Sequence, residues 1–140
     1  LKAMARYFAQ CGVTSFAPAS MTLPYDVLEK AFATARKIVD EDPAGCSKLR
    51  GIQMEGPYFS YKKRGAQNAD YLLNPDYEGF KALYDSCDGL IRIADVAPEL
   101  PGAAEFAEKS RVPPLTVTVL SDLGVEARAT VPSTTISPPS

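Results

Sequence analysis

The chain has 140 residues, of which 46% are hydrophobic, and its 17 acidic and 15 basic side chains give a formal net charge of −2. This length and apolar content suit one folded domain, and the charge balance excludes the basic surface that a nucleic-acid partner requires. The sequence contains no histidine, so its own residues cannot complete a Ser-His-Asp triad, a Cys-His dyad or a histidine-based metal site.

The first half of the chain alternates between helical and extended patterns. Apolar residues at helical spacing predict helices over residues 1–10 and 25–41, and short apolar runs predict strands over residues 13–17 and 49–54. Gly12 suits the end of the first helix, and Pro18 and Pro57 follow the two strands.

The second half repeats this pattern after a long loop over residues 58–75. Helices are predicted over residues 76–87 and 101–110, and strands over residues 90–96 and 115–120. A strand followed by a helix, repeated about every 40 residues, indicates parallel strands joined by crossover helices. The sequence therefore predicts an α/β fold, either a doubly wound sheet or a TIM barrel; no GxGxxG motif supports the dinucleotide-binding version.

The final ten residues differ in composition from the rest of the chain. Eight of the residues 131–140 are Pro, Ser or Thr, a composition typical of disordered segments. We therefore predict a folded domain over residues 1–130, which stops inside a structural unit, and a disordered or aberrant tail over residues 131–140.

Cysteine usage and hydropathy indicate the compartment. The chain has three widely spaced cysteines, Cys11, Cys46 and Cys87. Their odd number and wide spacing fit neither a disulfide framework nor a paired-cysteine metal site. We expect buried, free thiols in a reducing environment. No segment has the roughly 20 apolar residues that span a bilayer, so the sequence predicts a cytoplasmic protein without a membrane partner.

Polar residues follow three of the predicted strands, namely Ser20, Glu55 and Glu99. In both candidate folds the chemistry lies at the carboxyl ends of the strands. Glu55 is the sharpest candidate, because the following Gly56 and Pro57 turn the chain and leave little bulk around its carboxylate. Such a carboxylate suits a divalent metal or general-base work; the alternative is a structural glutamate that caps the next element or pairs with a lysine.

A cationic segment, Lys62-Lys63-Arg64, lies in the long loop just before Gly65, Ala66 and Gln67. It could hold an anionic or polyhydroxylated ligand, since glycine lets the backbone approach closely. A solvated loop is the alternative, although connections of this length are often functional.

Four segments of the sequence together resemble the N-acetylglucosamine-6-phosphate deacetylase family of the amidohydrolase superfamily. The segments are residues 12–16, 51–60 (containing Glu-Gly-Pro-Tyr-Phe-Ser), 63–67 (Lys-Arg-Gly-Ala-Gln) and 96–99 (Val-Ala-Pro-Glu). They occur in the family's order, and the resemblance covers roughly residues 1–119. The resemblance implies roughly the first half of a TIM barrel. It also implies hydrolysis of N-acetylglucosamine 6-phosphate to glucosamine 6-phosphate and acetate.

The resemblance also implies roles for individual residues. Glu55 matches the family glutamate that binds the catalytic divalent metal, zinc or a similar ion, and Ala66 and Gln67 match the pair that contacts the sugar. We expect the Glu55 carboxylate to point toward the barrel axis with Ala66 and Gln67 above it. The implied partner is a small sugar phosphate, and full-length family members are usually homodimers.

This sequence departs from the family after the strand at residues 115–120. The family's remaining metal ligands are histidines, and its catalytic acid/base is a later aspartate; neither has a counterpart here. We therefore expect a truncated chain that binds metal weakly and lacks activity. The alternative is a non-catalytic chain that acts as a sugar-binding or interaction module.

Overall fold

The computed structural model describes residues 1–111, 116–120 and 126–129. The α-helices are α1 (Lys2–Gln10), α2 (Tyr25–Glu41), α3 (Tyr77–Ser86) and α4 (Ala103–Lys109). The strands are β1 (Ser15–Phe16), β2 (Lys48–Leu49), β3 (Ile52–Met54), β4 (Ile91–Val96), β5 (Thr116–Leu120) and β6 (Glu126–Ala129). The long loop contains two short 3-10 turns, Tyr61–Lys63 and Ala69–Tyr71. Every predicted helix is present, and each predicted strand except the one over residues 49–54 is present with bounds that differ by at most a few residues.

The strands predicted from the sequence run parallel to one another. β1 pairs with β2, and β3, β4 and β5 form consecutive parallel pairs. A parallel bridge between Ala19 and Gln53 joins the chain beyond β1 to β3. The carboxyl ends of β1 and β3 therefore lie side by side, and the predicted α/β class with parallel strands is confirmed.

The single strand predicted over residues 49–54 is wrong. The structure divides it into β2 and β3, with Arg50 and Gly51 between them. The Arg92 side chain lies against Gly51 so closely that a Cβ there would overlap it, and the register of β3 against β4 shifts at Ile52 and Gln53. A local pattern of apolar residues does not reveal such an irregularity, because it depends on a side chain from the neighbouring strand.

Strand β6 was not predicted from the sequence. It pairs antiparallel with β5, with Val117 opposite Ala129 and Leu120 opposite Glu126. The sequence Glu-Ala-Arg-Ala does alternate polar and apolar residues, which is the period-2 signal of a strand. Four residues of alternation are a weak signal, and the family resemblance had already ended at this point.

The core lies between the sheet and helices α2, α3 and α4. Helix α2 buries Leu28, Phe32, Ala35 and Ile38, which share one face because they recur at intervals of three and four residues. Phe80, Leu83 and Phe106 from the other two helices join them, together with Ile52 and Met54 of β3. This packing holds β3, and therefore the start of the Glu55 segment, in a fixed position.

The expectation of buried thiols is correct only for Cys87. Cys11 is exposed and Cys46 is half-buried, and all three cysteines are free. Burial raises the pKa of the Cys87 thiol, so this group stays protonated at neutral pH. Cys11 is exposed because it lies directly after the last residue of α1, where the chain turns at the surface.

Three further predictions concern the tail, the domain boundary and the cellular location. Residues 131–140, the predicted tail, lie outside the described residues, as does the proposed domain boundary at residue 130. Within the described ranges, no helix combines the length and apolar character needed to cross a membrane. The cytoplasmic location stays a prediction.

Candidate functional site

Glu55 lies directly after β3, where the chain turns through Gly56 and the cis peptide bond to Pro57. The glutamate is half-buried. Its main-chain N–H donates to the Ser20 hydroxyl, with 3.1 Å between nitrogen and oxygen. Ser20 belongs to the segment that follows β1, and its own N–H donates to the Gln53 carbonyl at 2.9 Å. Ser20 and Glu55, two of the strand-end residues identified in the sequence, are therefore neighbours.

Gln67 reaches the same place from the long loop. Its side-chain Nε2 donates to Glu55 Oε1 at 3.1 Å, and its Oε1 accepts the main-chain N–H of Thr22 at 2.8 Å. Ser20, Thr22, Glu55 and Gln67 thus form one hydrogen-bonded group, which we call the Glu55 cluster. The structure brings together Glu55 and Gln67, which the sequence analysis had selected for different roles.

Thr22 is the member of this cluster that the sequence analysis missed. It is 2% exposed, and a Cβ at Gly56 would overlap its hydroxyl. Within the described residues, its Oγ1 is buried without a hydrogen-bond partner. A threonine in a surface-like segment between a strand and a helix gives no local signal of burial, because burial here depends on the approach of Gly56.

The other sequence candidates lie outside the cluster. Ala66 is exposed beside Gln67, and Glu99 is exposed beyond β4 with no hydrogen bond or ion pair to the cluster in the described part of the chain. Arg64 donates to the Tyr61 carbonyl at 2.6 Å and lies over the Tyr61 ring at 4.1 Å. Lys62 and Lys63 are exposed on the same turn.

The described residues do not by themselves fit a metal ion. Among residues 1–111, 116–120 and 126–129, no three His, Cys, Asp or Glu side chains are grouped so that they could hold one. Glu55 is the single carboxylate of the cluster, and one of its oxygens already accepts the Gln67 amide. Zinc sites use about three or four protein ligands, so the cluster provides too few.

A pair of tyrosines lies directly behind the site. The Tyr58 side chain is fully buried, and its hydroxyl lies 2.5 Å from that of Tyr25 and 3.3 Å from the Asp76 carbonyl oxygen. The Tyr58 carbonyl also accepts the Ala97 N–H at 2.8 Å. This residue therefore ties the turn after Glu55 to α2, to the start of α3 and to the end of β4.

Burial raises the pKa of both tyrosine hydroxyls, and for Tyr58 the neighbouring Tyr25 adds to the effect. We predict that the free energy of unfolding falls above pH 10, because unfolded Tyr58 ionises there while the buried residue stays neutral. The stabilisation from the neutral, buried Tyr58 hydroxyl is complete below the pKa of the unfolded tyrosine. Above that pKa, the free energy of unfolding falls by about 1.4 kcal/mol per pH unit.

Urea unfolding between pH 8 and pH 11, compared for the wild type and Tyr58→Phe, measures this loss. We expect the variant to lose less stability over the alkaline range than the wild type. Tyr7→Phe is the matched control, since Tyr7 is 63% exposed and should follow the wild-type profile. Parallel profiles for the wild type and Tyr58→Phe would contradict the prediction.

A second polar pair, a buried carboxylate and a half-buried amide, lies next to the cluster in the sheet. Asp95 of β4 is 2% exposed, and its Oδ2 accepts the Gln53 side-chain amide at 2.9 Å. Gln53 lies two residues before Glu55, and its carbonyl accepts the N–H of Ser20, a member of the cluster. A buried carboxylate in a strand is costly without hydrogen bonds, and the Gln53 amide supplies one of them.

Sequence relatives of the chain carry one common name. This chain is 36% identical over 90 residues to the N-acetylglucosamine-6-phosphate deacetylase of Bacillus subtilis. The aligned residues cover 63% of this chain and 23% of that protein. The chain is 33% identical over 118 residues to the enzyme of the same name from Danio rerio, covering 83% of this chain and 29% of that protein. The chain therefore spans about a quarter of the length of these relatives. No protein-family model matches the sequence.

Solved structures of the same name share the fold. A deacetylase structure from Mycobacterium smegmatis superposes with a TM-score of 0.73 at 22% identity, over 86% of this chain and 34% of that one. A structure from Pasteurella multocida gives a TM-score of 0.63 at 26% identity, over 79% of this chain and 28% of that one. The resemblance recognised in the sequence is confirmed: the chain is similar to one segment of N-acetylglucosamine-6-phosphate deacetylases.

Proposed function

We propose that this chain is one segment of a metal-dependent N-acetylglucosamine-6-phosphate deacetylase and carries part of that enzyme's site. One observation carries the proposal: the carboxylate of Glu55 and the amide of Gln67, from two separate family motifs, are hydrogen bonded at 3.1 Å. This contact lies beyond the carboxyl end of a parallel strand, where α/β enzymes hold their sites. Relatives with this name support the same assignment.

The finer architecture that we propose is a partial TIM barrel, with its domain extending over residues 1–130. Parallel strands that alternate with α2, α3 and α4 support it, since a barrel is built from such units. The substrate that we propose is N-acetylglucosamine 6-phosphate. A Mycobacterium smegmatis deacetylase of similar fold was solved in complex with this compound. Homodimerisation of the whole enzyme remains part of the proposal.

Within this site, Glu55 would supply one oxygen ligand to a divalent metal, and Ala66 and Gln67 would contact the sugar. Ala66 is exposed beside the cluster, so a ligand can reach this residue. The remaining metal ligands would have to come from outside the described residues. Since the sequence has no histidine, we expect zinc to bind the isolated chain more weakly than micromolar, and we expect deacetylation no faster than background.

The proposal is tested by titrating N-acetylglucosamine 6-phosphate into the purified, isotope-labelled chain and following main-chain amide shifts by NMR. We expect the shifts of Glu55, Ala66 and Gln67 to move. Gln67→Ala should weaken binding by up to about tenfold, the value of one hydrogen bond. Gln10→Ala is the control, because Gln10 is an exposed residue at the end of α1.

Two results would contradict the proposal. Shifts confined to residues outside the cluster would separate the Glu55 site from sugar binding. Zinc-dependent deacetylation by the isolated chain, abolished in Glu55→Gln, would show that a complete histidine-free site exists, so that the expected loss of activity is wrong. Contaminating full-length enzyme is excluded by the Glu55→Gln sample, which is purified in the same way.

A non-catalytic sugar-binding or interaction module is the second candidate function. The observation that favours it is the single carboxylate of the cluster, which leaves the described residues short of a metal site. Binding of the sugar phosphate without turnover by a longer chain that includes the family's histidines would favour this module. Turnover by that longer chain would favour the deacetylase segment.

A further inference from the structure

We propose that Ser20 and Thr22 form a positioning element that fixes the Glu55 carboxylate and determines which way the Gln67 amide faces. Both residues lie in the segment between β1 and α2, more than 30 residues from Glu55 in the sequence. The inference rests on the proposed function only for the identity of the ligand that binds at the cluster. The positioning itself follows from hydrogen bonds within the chain.

The orientation of the Gln67 amide follows from the chemistry of its neighbour. A main-chain N–H can only donate, so the Gln67 atom that lies 2.8 Å from the Thr22 nitrogen must be the carbonyl oxygen. The amide nitrogen is then on the opposite side, 3.1 Å from Glu55 Oε1, where it donates to the carboxylate. Thr22 therefore makes Gln67 a hydrogen-bond donor toward Glu55.

Ser20 holds the main chain of Glu55. Its hydroxyl accepts the Glu55 main-chain N–H at 3.1 Å, while its own N–H is held by the Gln53 carbonyl. Ser20 thus holds the main chain of Glu55, and Thr22 holds the Glu55 carboxylate through Gln67. Thr22 is buried against Gly56, which keeps the segment close to the turn after β3.

This arrangement limits what Gln67 can offer to a ligand. A side-chain amide nitrogen has two N–H groups, and one of them is used by Glu55. The other N–H is a donor, so a ligand group that meets the Gln67 amide nitrogen is a hydrogen-bond acceptor. Sugar hydroxyl oxygens and the acetamide carbonyl oxygen meet this requirement, whereas an ammonium group does not.

The positioning is measured in the full chain without any ligand. Selective labelling of glutamine with nitrogen-15 reports three side chains, Gln10, Gln53 and Gln67. We expect the Gln67 side-chain protons to exchange with solvent up to about tenfold more slowly than those of exposed Gln10. Ser20→Ala should reduce this protection roughly threefold while the protection of Gln53, which is bonded to Asp95, stays unchanged.

Two matched variants separate positioning from general loosening. Ser20→Thr keeps the hydroxyl and should restore the protection of Gln67. Thr22→Ser keeps the main-chain N–H and should leave that protection as in the wild type. An unchanged Gln67 signal in Ser20→Ala would overturn the inference. So would equal losses at Gln67 and Gln53, because equal losses would reflect a change in the whole fold.

A measurement on the wild type remains decisive if Ser20→Ala does not fold. A scalar coupling across the hydrogen bond from the Thr22 nitrogen to the Gln67 side-chain carbonyl carbon supports the orientation, and its absence overturns it. Sugar titration then separates the two proposals. Protected Gln67 without sugar-induced shifts supports the positioning element and contradicts the proposed function. Sugar binding without protection overturns the positioning element alone.

Discussion

Replacing Gly56 by alanine is expected to lower the free energy of unfolding by about 3 kcal/mol. Two physical effects contribute. Gly56 has a φ of +82°, a conformation that costs a residue with a side chain roughly 1–2 kcal/mol. A Cβ at this position would also overlap the Thr22 hydroxyl and lie 3.1 Å from Thr22 Cβ and 3.2 Å from a ring carbon of Phe59. The surrounding residues have little room to move, because Thr22 and Phe59 are both buried.

The measurement is urea unfolding of Gly56→Ala beside Gly45→Ala. Gly45 also has a positive φ, +71°, but a Cβ there would meet nothing within 4 Å. Gly45→Ala is therefore expected to lose only the backbone cost of about 1 kcal/mol. The difference in stability between the two variants measures the steric overlap with Thr22 and Phe59. Equal losses of stability in the two variants would mean that the Thr22 segment does not press against the turn.

Replacing Phe106 by alanine is expected to cost about 3–5 kcal/mol. Phe106 of α4 is 1% exposed, and its ring packs edge-on against Tyr58 and Phe80 with centroids 5.1 Å apart in each pair. Removing the ring leaves a cavity against side chains of α3 and of the turn after β3. Because Tyr58 is one of these neighbours, the turn that carries Glu55 also loses support.

Chemical denaturation of Phe106→Ala, Phe106→Leu and Tyr7→Ala measures this effect. Leucine fills much of the volume, so we expect its cost to be about half that of alanine. Tyr7 is 63% exposed, and its replacement should change the stability by less than about 0.5 kcal/mol. A loss below about 1 kcal/mol for Phe106→Ala would show that α4 does not close the core over Tyr58.

Tyr58 connects these two results. Its hydroxyl meets Tyr25 of α2, its ring meets Phe106 of α4, and its carbonyl accepts the Ala97 N–H beyond β4. Changes in either helix therefore reach the turn that follows Glu55. This explains how a carboxylate at the end of a three-residue strand can be held in place.

The helices were predictable from the sequence because their signals are local. The predicted bounds of α2, residues 25–41, agree with the structure, since its apolar residues recur at helical spacing and Asp42 and Pro43 end it. The parallel arrangement of the strands followed from the repeated strand and helix units. The position of Glu55 was also predictable, since an apolar strand followed by Gly-Pro must end and turn there.

Partners that are distant in the sequence were decided only by the tertiary structure. Nothing in the sequence around Thr22 shows that its N–H meets Gln67, or that its hydroxyl faces Gly56. The same is true of the Tyr25–Tyr58 contact and of the break between β2 and β3. Each depends on how closely two segments approach, and that distance is determined by the packing of the whole core around β3 rather than by the local preferences of either segment.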